Sequence, residues 1–548
     1  MVMNAHQDKR ISCPIMFILC AVFCVTSCKS RGFPPSAVNS DLQEMSWIPC
    51  AIPSIPSLNI PEGVAIECAT VKVPLDWDTP DGSSIDYLLR KVRSTRTDTV
   101  KTQIWYSEGG PGIPAGPTAL RFATEVSADP TLEIYVPDQR GVGASTKLGC
   151  GLPVDLIPYD RLPPGEFQKC IDAVKLRWGD RLKFFSTNSA AQDAIEVSKR
   201  IRSPDARFFF QGQSYGSYLT NEIMHLAPEL PSGWILTGYA PGGWIAYQEN
   251  RAAFQAITAV LSRLCEGSAL CMQKLGKSPE KALVQGLNSV KDGRCSLGSD
   301  FAELRKFLSD FSQSEGAVIS LFPVIAYRLK RCNDGDTAFI RALLALAAPA
   351  PGTTQGTGVI KLEDIDLASI PEQTKIQGGL LASLLFASEL FWPRPWPPQD
   401  QVLRVLSAEP LFAGDLGQMK VLRSFPTYLP KFLNGQYAKT SKPVLILAGE
   451  RDREAPAELA RKAAKSYSAA NQHVVILPWA THGVLQSGPK SQDGRFCSVA
   501  LRAAFLLNPD GPLDLACVGN LDGLVPTLPP LDARLPQEFG LNDSVWGD

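Results

Sequence analysis

Ser214 is the residue best placed for chemistry in this 548-residue chain. It sits in Gly212-Gln213-Ser214-Tyr215-Gly216, between a strand-like apolar run, Arg207 to Gln211, and a helical pattern from Tyr218 to Leu226. That is the setting of a nucleophile elbow: the strand-to-helix turn is so tight that the serine takes strained backbone angles, and only small flanking residues leave room for it. By itself the pentapeptide is a weak signal, since small-residue runs arise by chance in long chains.

A serine nucleophile needs a base, and the chain has only His6, His225, His473 and His482. His6 lies in an N-terminal targeting segment, His225 faces along the helix after the elbow, and His473 opens an apolar strand, Val474 to Leu477. His482 follows that strand in Pro478-Trp479-Ala480-Thr481-His482-Gly483, a loop from which an imidazole can swing over the nucleophile as general base. A plain surface-loop histidine is the alternative. The third member should be a carboxylate after the preceding strand, Pro443 to Gly449, which ends in Glu450-Arg451-Asp452-Arg453-Glu454. Asp452 is the choice on order and spacing, with Glu450 and Glu454 left open, because a charged loop after a strand is usually only solvated. The order Ser214, Asp452, His482 is that of α/β-hydrolases rather than of the chymotrypsin or subtilisin arrangements. Asp452 would fix the histidine tautomer and stabilise the imidazolium.

An oxyanion hole requires the amide after the nucleophile and a second amide from a loop after an earlier strand. Ile104-Trp105-Tyr106-Ser107 followed by Glu108-Gly109-Gly110-Pro111-Gly112 supplies that loop, so the N–H groups of Gly110 and Tyr215 are the expected donors. Without the elbow and the histidine downstream, the same loop reads as an ordinary Gly-Pro turn.

Taken together, Gly109-Gly110-Pro111-Gly112, Pro137-Asp138-Gln139-Arg140-Gly141-Val142-Gly143-Ala144-Ser145 and Gly212-Gln213-Ser214-Tyr215-Gly216 resemble the three signatures of the prolyl aminopeptidase and tripeptidyl aminopeptidase group of α/β-hydrolases. The likeness extends to Val73-Pro74-Leu75-Asp76-Trp77 and to the segment from Cys497 to Cys517. It implies a serine exopeptidase that removes one or a few residues from the free N-terminus of short peptides. Two departures touch the site floor: Ser217 stands where the family usually has glycine or threonine, and Thr237 where relatives commonly carry aspartate. In the family, acidic residues of the cap hold the substrate amine. Phe386-Ala387-Ser388-Glu389 resembles a segment carrying one, with Ala387 replacing the usual cysteine, and Glu389 is therefore the expected amine anchor, a surface carboxylate on a cap helix being the alternative. Arg140 reads as a structural ion-pair partner near the site.

Basic and acidic residues nearly balance, to a net charge of -1, and are interspersed, so nothing in the sequence argues for nucleic acid or an acidic surface as partner. No metal or organic cofactor is implied. Lys9 and Arg10, an apolar run from Ile15 to Val25 and then Thr26-Ser27-Cys28 read as an export signal, the run being shorter than the roughly 20 residues of a membrane span. Val25-Thr26-Ser27-Cys28 also resembles a bacterial lipobox, which would make Cys28 a lipid anchor and the only link to a membrane; an ordinary cleavage site with a chance cysteine is the alternative. Ten further cysteines suit disulfides in an oxidising compartment. Proximity and the family resemblance pair Cys50 with Cys68, Cys265 with Cys271 and Cys497 with Cys517, which leaves Cys150 with Cys170 and Cys295 with Cys332. A zinc site is disfavoured by the lack of any C-x-x-C pair or clustered histidine.

The expected layout is a signal over 1–28, a polar linker over 29–46, and an α/β core in two parts, 47–243 and 435–548, with a helical cap inserted over 244–434. In the core, strand and helix patterns alternate, the signature of a mostly parallel sheet covered by helices on both faces. The fold class expected is thus the α/β-hydrolase fold with an inserted helical cap domain. Aromatic and proline residues from Phe391 to Trp396 either line the roof of the cleft or pack into the cap. An esterase or other small-molecule hydrolase on the same scaffold, and a catalytically silent binding protein, are the other function classes consistent with these residues.

Overall fold

Apolar runs such as Ile104-Trp105-Tyr106 and Val444-Leu445-Ile446-Leu447 lack polar alternation, and they build strands buried on both faces. A computed structural model describes residues 45–51, 59–150, 164–241, 250–298, 301–347, 378–390, 397–398, 400–401, 404, 410–411, 422–430, 437–530, 533 and 544–547. The export signal with Cys28, most of the linker, the stretch from Pro349 to Gly358 and the aromatic run from Phe391 to Trp396 lie outside the described residues.

Nine strands form one sheet: β1 Ile48–Pro49, β2 Val64–Pro74, β3 Ser84–Ser94, β4 Thr102–Ser107, β5 Leu132–Pro137, β6 Arg207–Gln213, β7 Gly233–Thr237, β8 Val444–Gly449 and β9 Gln472–Leu477. Their order is β1-β2-β3-β5-β4-β6-β7-β8-β9. From β5 to β9 every pairing is parallel, whereas β1 to β3 form an antiparallel meander joined to the antiparallel edge of β5. The expected alternation of strand and helix therefore starts only after β4, with α1 Gly116–Ala128 before β5 and α2 Pro164–Trp178 after it. The physical reason is local: Asp76 to Gly82 folds into tight turns, with Thr79 N–H on the Asp76 carbonyl and Gly82 N–H on that of Thr79. So short a connection can only reverse the chain.

Successive side chains of a strand point to opposite faces. Phe208 and Phe210 enter one core with Trp105, Trp234 and residues of α3 Thr187–Ile201 and α4 Tyr215–Leu226, while Phe209 enters the other with Phe505 of the helix Cys497–Leu507. Between β7 and β8 the described residues contain no strand. Their helices are α5 Asn250–Cys265, α6 Ala269–Leu275, α7 Pro279–Lys291, α8 Phe301–Phe311, α9 Phe322–Arg331, α10 Asp334–Ala347 and α11 Gly379–Leu385. The first six of these share a separate core, in which Leu261, Leu283, Phe322 and Phe339 are buried. Helix α11 instead gives Leu380, Leu381 and Leu384 to the core around the sheet.

The closing segment does not stay with the sheet. Trp546 is fully buried in the core of the helical insert, and the Arg328 guanidinium donates to the carbonyls of Ser544 and Val545 at 2.5 and 2.9 Å.

Five disulfides join Cys50 to Cys68, Cys150 to Cys170, Cys265 to Cys271, Cys295 to Cys332 and Cys497 to Cys517, the pairs expected from the sequence. Such bonds persist in oxidising compartments. Cys295–Cys332 closes the longest loop, 37 residues, and so restricts the unfolded chain most. Replacing both cysteines by serine is expected to destabilise the helical insert by about 4 kcal/mol on loop-closure entropy. Hydrogen exchange of α7 and α9 in the double variant, against that of the sheet, checks this; unchanged protection in both helices would contradict it. Among the described residues no helix is long and apolar enough to cross a membrane.

Candidate active site

The elbow follows from two glycines. A Cβ on Gly216 would stand 2.0 Å from the Ser107 carbonyl oxygen, and one on Gly212 would stand 2.1 Å from that of Gly216, so no larger residue fits either place. Ser214 between them has φ 56° and ψ -126°, a conformation costly to a non-glycine residue, and α4 starts at the next position. The first turn of α4 carries backbone N–H groups with no acceptor inside the helix, Tyr215 N–H among them. Strand β7 holds the elbow from beneath: Ser214 N–H donates to the Thr237 carbonyl at 2.9 Å. The two departures noted on the site floor both serve this turn. Thr237 Oγ1 donates to the Gly212 carbonyl at 3.3 Å, and Ser217 Oγ donates to that of Ser214 at 2.7 Å while accepting from Ala240 N–H at 2.8 Å.

The loop after β4 lies directly against the serine. A Cβ on Gly109 would be 3.7 Å from Ser214 Oγ, and Gly110, at φ 107°, precedes a cis bond to Pro111. Glu108 closes the loop from behind: its Oε1 accepts Gly109 N–H at 2.9 Å, and its other oxygen accepts the Thr118 hydroxyl. Gly112 meets the start of α11, since Gly378 N–H donates to its carbonyl at 2.8 Å.

Asp452 and His482 reach the site from β8 and β9. Gly449 ends β8 where a Cβ would stand 2.4 Å from the Thr481 carbonyl oxygen, which lets the two loops touch, and Arg451 N–H donates to the Ala480 carbonyl at 2.9 Å. Asp452 is completely buried. Its Oδ1 accepts the N–H groups of Glu454 and Ala455 at 2.9 and 2.8 Å, and its Oδ2 lies 2.7 Å from His482 Nδ1. Of the two alternatives left open by the sequence, Glu450 instead accepts Trp479 N–H at 3.2 Å. Glu454 has a contact the sequence reading did not anticipate: its Oε2 is 3.3 Å from His482 Nε2, the ring nitrogen not used by Asp452. The signal available was the Asp-x-Glu spacing, which in a loop brings both side chains to one neighbour. His482 packs against Gly238, where a Cβ would stand 3.1 Å from its Cε1.

Burial works against a charge on His482, but the charge and hydrogen bond of Asp452 outweigh it, with Glu454 adding and Arg453 opposing, and its pKa is pushed up to about 9.

The Asp138-Gln139-Arg140-Gly141 loop after β5 is a pair of buried ion-pair stations. Asp138 takes Arg90 in two bonds of 2.8 and 3.0 Å and the N–H groups of Ala115 and Ala144. Arg140 grips Asp193 at 2.6 and 2.5 Å and donates to the carbonyls of Pro74, Leu75 and Phe184. These bonds seat the loops around the elbow, the structural part expected of Arg140.

Glu389 is not a surface carboxylate. It is 4% exposed, in a π turn from Phe386 to Leu390 that continues α11, and it accepts Thr187 N–H at 3.0 Å and the Tyr428 hydroxyl. Burial raises its pKa, against hydrogen bonds from Tyr428, Thr187 and Tyr218 that lower it. It lines a cavity of about 340 Å³ beside α3 and α4, into which Asp76, Asp78 and Glu222 also face, with Lys183 the single cation among the described lining residues. Ser214, Asp452 and His482 are not part of that lining, but Tyr218, one helical turn after Ser214, is. Among the described residues no cluster of three or more His, Cys, Asp or Glu is set to hold a metal ion.

A serine elbow after β6, a buried aspartate after β8 and a histidine after β9, on this strand order, define an α/β-hydrolase. Over 199 residues, 36% of this chain and 43% of the relative, the sequence is 27% identical to the proline iminopeptidase of Aeromonas sobria. Over 216 residues, 35% of this chain and 37% of the relative, it is 25% identical to the tripeptidyl aminopeptidase of Streptomyces coelicolor. The matched region thus spans less than half the length of these curated relatives. Among solved structures, the proline iminopeptidase of Mycobacterium smegmatis is 14% identical, with 80% of this chain and 98% of that one covered at a TM-score of 0.32. The proline iminopeptidase-related protein of Thermus thermophilus is 12% identical, with 83% and 98% covered at 0.29. At such TM-scores the fold assignment rests on this chain's own strand order and elbow. No protein-family model matches the chain. Over about a third of its length, the sequence is thus similar to a proline iminopeptidase and to tripeptidyl aminopeptidases.

Proposed function

We propose that this chain is an exported serine aminopeptidase that releases one or a few residues from the free N-terminus of short peptides. The observation that carries the reading is the strained Ser214 elbow in company with the buried Asp452–His482 pair, 2.7 Å apart. Ser214 Oγ attacks the scissile carbonyl carbon as its proton passes to His482 Nε2; the C–N bond then breaks, and that proton leaves with the amine. Water, deprotonated by His482, next releases the acyl group from Ser214. Asp452 holds Nδ1–H and stabilises the imidazolium, and the N–H groups of Gly110 and Tyr215 receive the oxyanion.

The requirement for a free amine comes from the acidic cavity. Asp76, Asp78, Glu222 and Glu389 against Lys183 favour a cation, and Glu389, with its proton affinity raised by burial, regains its charge when an ammonium docks beside it. The helices inserted between β7 and β8 act as a cap that roofs the cleft and excludes folded proteins. Export is supported by the N-terminal basic and apolar segments and the five disulfides, and a lipid on Cys28 would tether the enzyme to a membrane surface.

The test is hydrolysis of chromogenic amides carrying one, two or three residues, each with a free and a blocked N-terminus. Cleavage of the free-amine series is expected to exceed that of the blocked series by roughly 100-fold, the worth of a charged hydrogen bond. Glu389→Gln should narrow the gap. Turnover of simple esters without amide cleavage would leave an esterase instead.

A further inference from the structure

We infer that Glu454 is a specificity residue on the leaving side of the scissile bond, selecting peptides in which a lysine or arginine immediately follows the bond that is cut. The inference rests on the aminopeptidase reading above. It starts from the 3.3 Å contact of Glu454 Oε2 with His482 Nε2. That nitrogen has to serve both Ser214 Oγ and the departing nitrogen, so a carboxylate against it stands within reach of the residue that departs.

The sheet decides the side. The acidic cavity is tied through Asp76 and Trp77 to the end of β2, and through the Arg140–Asp193 bonds to the loop after β5, on one side of β6. Glu454 follows β8, two strands to the other side of β6. A peptide with its ammonium in the cavity and its carbonyl at Ser214 therefore extends its leaving part toward Glu454.

Charge and exposure agree. The Glu454 side chain is 51% exposed, and its backbone is pinned by the bond of its N–H to Asp452 Oδ1. The cation nearest to it on its own loop, Arg453, is 3.5 Å away but is itself engaged by Asp310 of α8 at 2.7 Å and by Ser309 Oγ; Asp310 also pairs with Lys306 at 2.6 Å. Arg453 is thus shared and lies closer to Asp310 than to Glu454, which leaves the Glu454 carboxylate open to a second cation from the solvent side. A side-chain ammonium or guanidinium of the leaving residue takes the carboxylate from His482 and frees Nε2 for the serine.

The experiment compares peptides with the same free N-terminus and acyl portion whose first leaving residue is lysine, norleucine or glutamate. Their kcat/KM ratios are measured in wild type, Glu454→Gln and Glu454→Lys, so that any common change in chemistry cancels. Wild type is expected to favour lysine over norleucine at least tenfold at low salt, with the preference shrinking as ionic strength rises. In Glu454→Gln the ratio should fall to near one, and in Glu454→Lys glutamate should become the preferred residue. Equal lysine-to-norleucine ratios in wild type and Glu454→Gln, with only the pH profile displaced, would overturn the inference and leave the aminopeptidase reading standing. Failure of wild type to cleave any free-amine peptide while it hydrolyses esters would sink that reading itself, and this inference with it.

Discussion

Alanine at Ser214 or at His482 is expected to lower kcat for a free-amine amide by about 10^6-fold, and asparagine at Asp452 by about 10^4-fold. The groups act as one unit, so Ser214→Ala combined with His482→Ala should be no slower than either alone. Ser214 is held at φ 56° by glycines that admit no Cβ, so alanine keeps the turn and removes only the nucleophile. Asparagine at 452 can still accept from the N–H groups of Glu454 and Ala455, but it cannot stabilise the imidazolium, and its amide N–H donating to Nδ1 holds His482 in the tautomer whose Nε2 carries the proton. The pH profile separates the roles. A base must be neutral to accept a proton, so kcat of wild type at saturating substrate should rise with pH through a midpoint of about 9, where His482 loses its proton, while kcat/KM falls again as the substrate ammonium is lost. Asp452 and Glu454 both raise that value, so Asp452→Asn and Glu454→Gln should each move the midpoint to lower pH. A Ser214→Ala enzyme within tenfold of wild type on amides would end the serine mechanism.

Arg140→Met is expected to be the most damaging substitution for stability, at roughly 3–5 kcal/mol. It removes every bond made by a fully buried guanidinium and leaves Asp193 buried with only Trp77 Nε1 as side-chain donor. Burial already raises the pKa of Asp193, against the charge of Arg140. Without Arg140 that rise grows, and an acid whose folded pKa lies above its unfolded one is destabilised as pH climbs through that window. The loss in Arg140→Met should therefore be largest near neutral pH and should shrink toward acid pH, where Asp193 is protonated. Denaturant midpoints of both proteins over pH 4 to 8 check this; a pH-independent loss would show that packing rather than the orphaned carboxylate sets it.

What was legible in the sequence was set by local constraint. The elbow needs small residues at fixed spacing, so Ser214 could be read from five letters, and with so few histidines the strand before His482 was enough to single it out. Order and spacing pointed to Asp452, but what sets it apart from Glu450 and Glu454, the amides at 454 and 455 that hold its carboxylate, is a matter of loop conformation that residue types do not encode. Likewise, Glu454 was named only as a candidate acid because its closeness to Nε2 depends on how two loops meet at Gly449. The burial of Glu389 could not be read from its surroundings, since its partners Tyr428 and Thr187 lie 39 and 202 positions away. The antiparallel start of the sheet did carry a signal: Lys72 in β2 and Asp86, Arg90, Lys91 and Arg93 in β3 interrupt the apolar runs that parallel strands such as β8 keep, and the turn between β2 and β3 is too short for a crossover.

Strands β7 and β8 are hydrogen-bonded neighbours, with Trp234 beside Val444, although more than two hundred positions separate them. For a chain made from its N-terminus this sets a timetable. The elbow and the glycine loop are complete while the acid and the base are still unmade, and the two last strands can dock only after the helical insert has emerged and folded back. Hydrolytic competence is thus the last property the polypeptide acquires, so a partly made chain carries an elbow without the groups that would activate it.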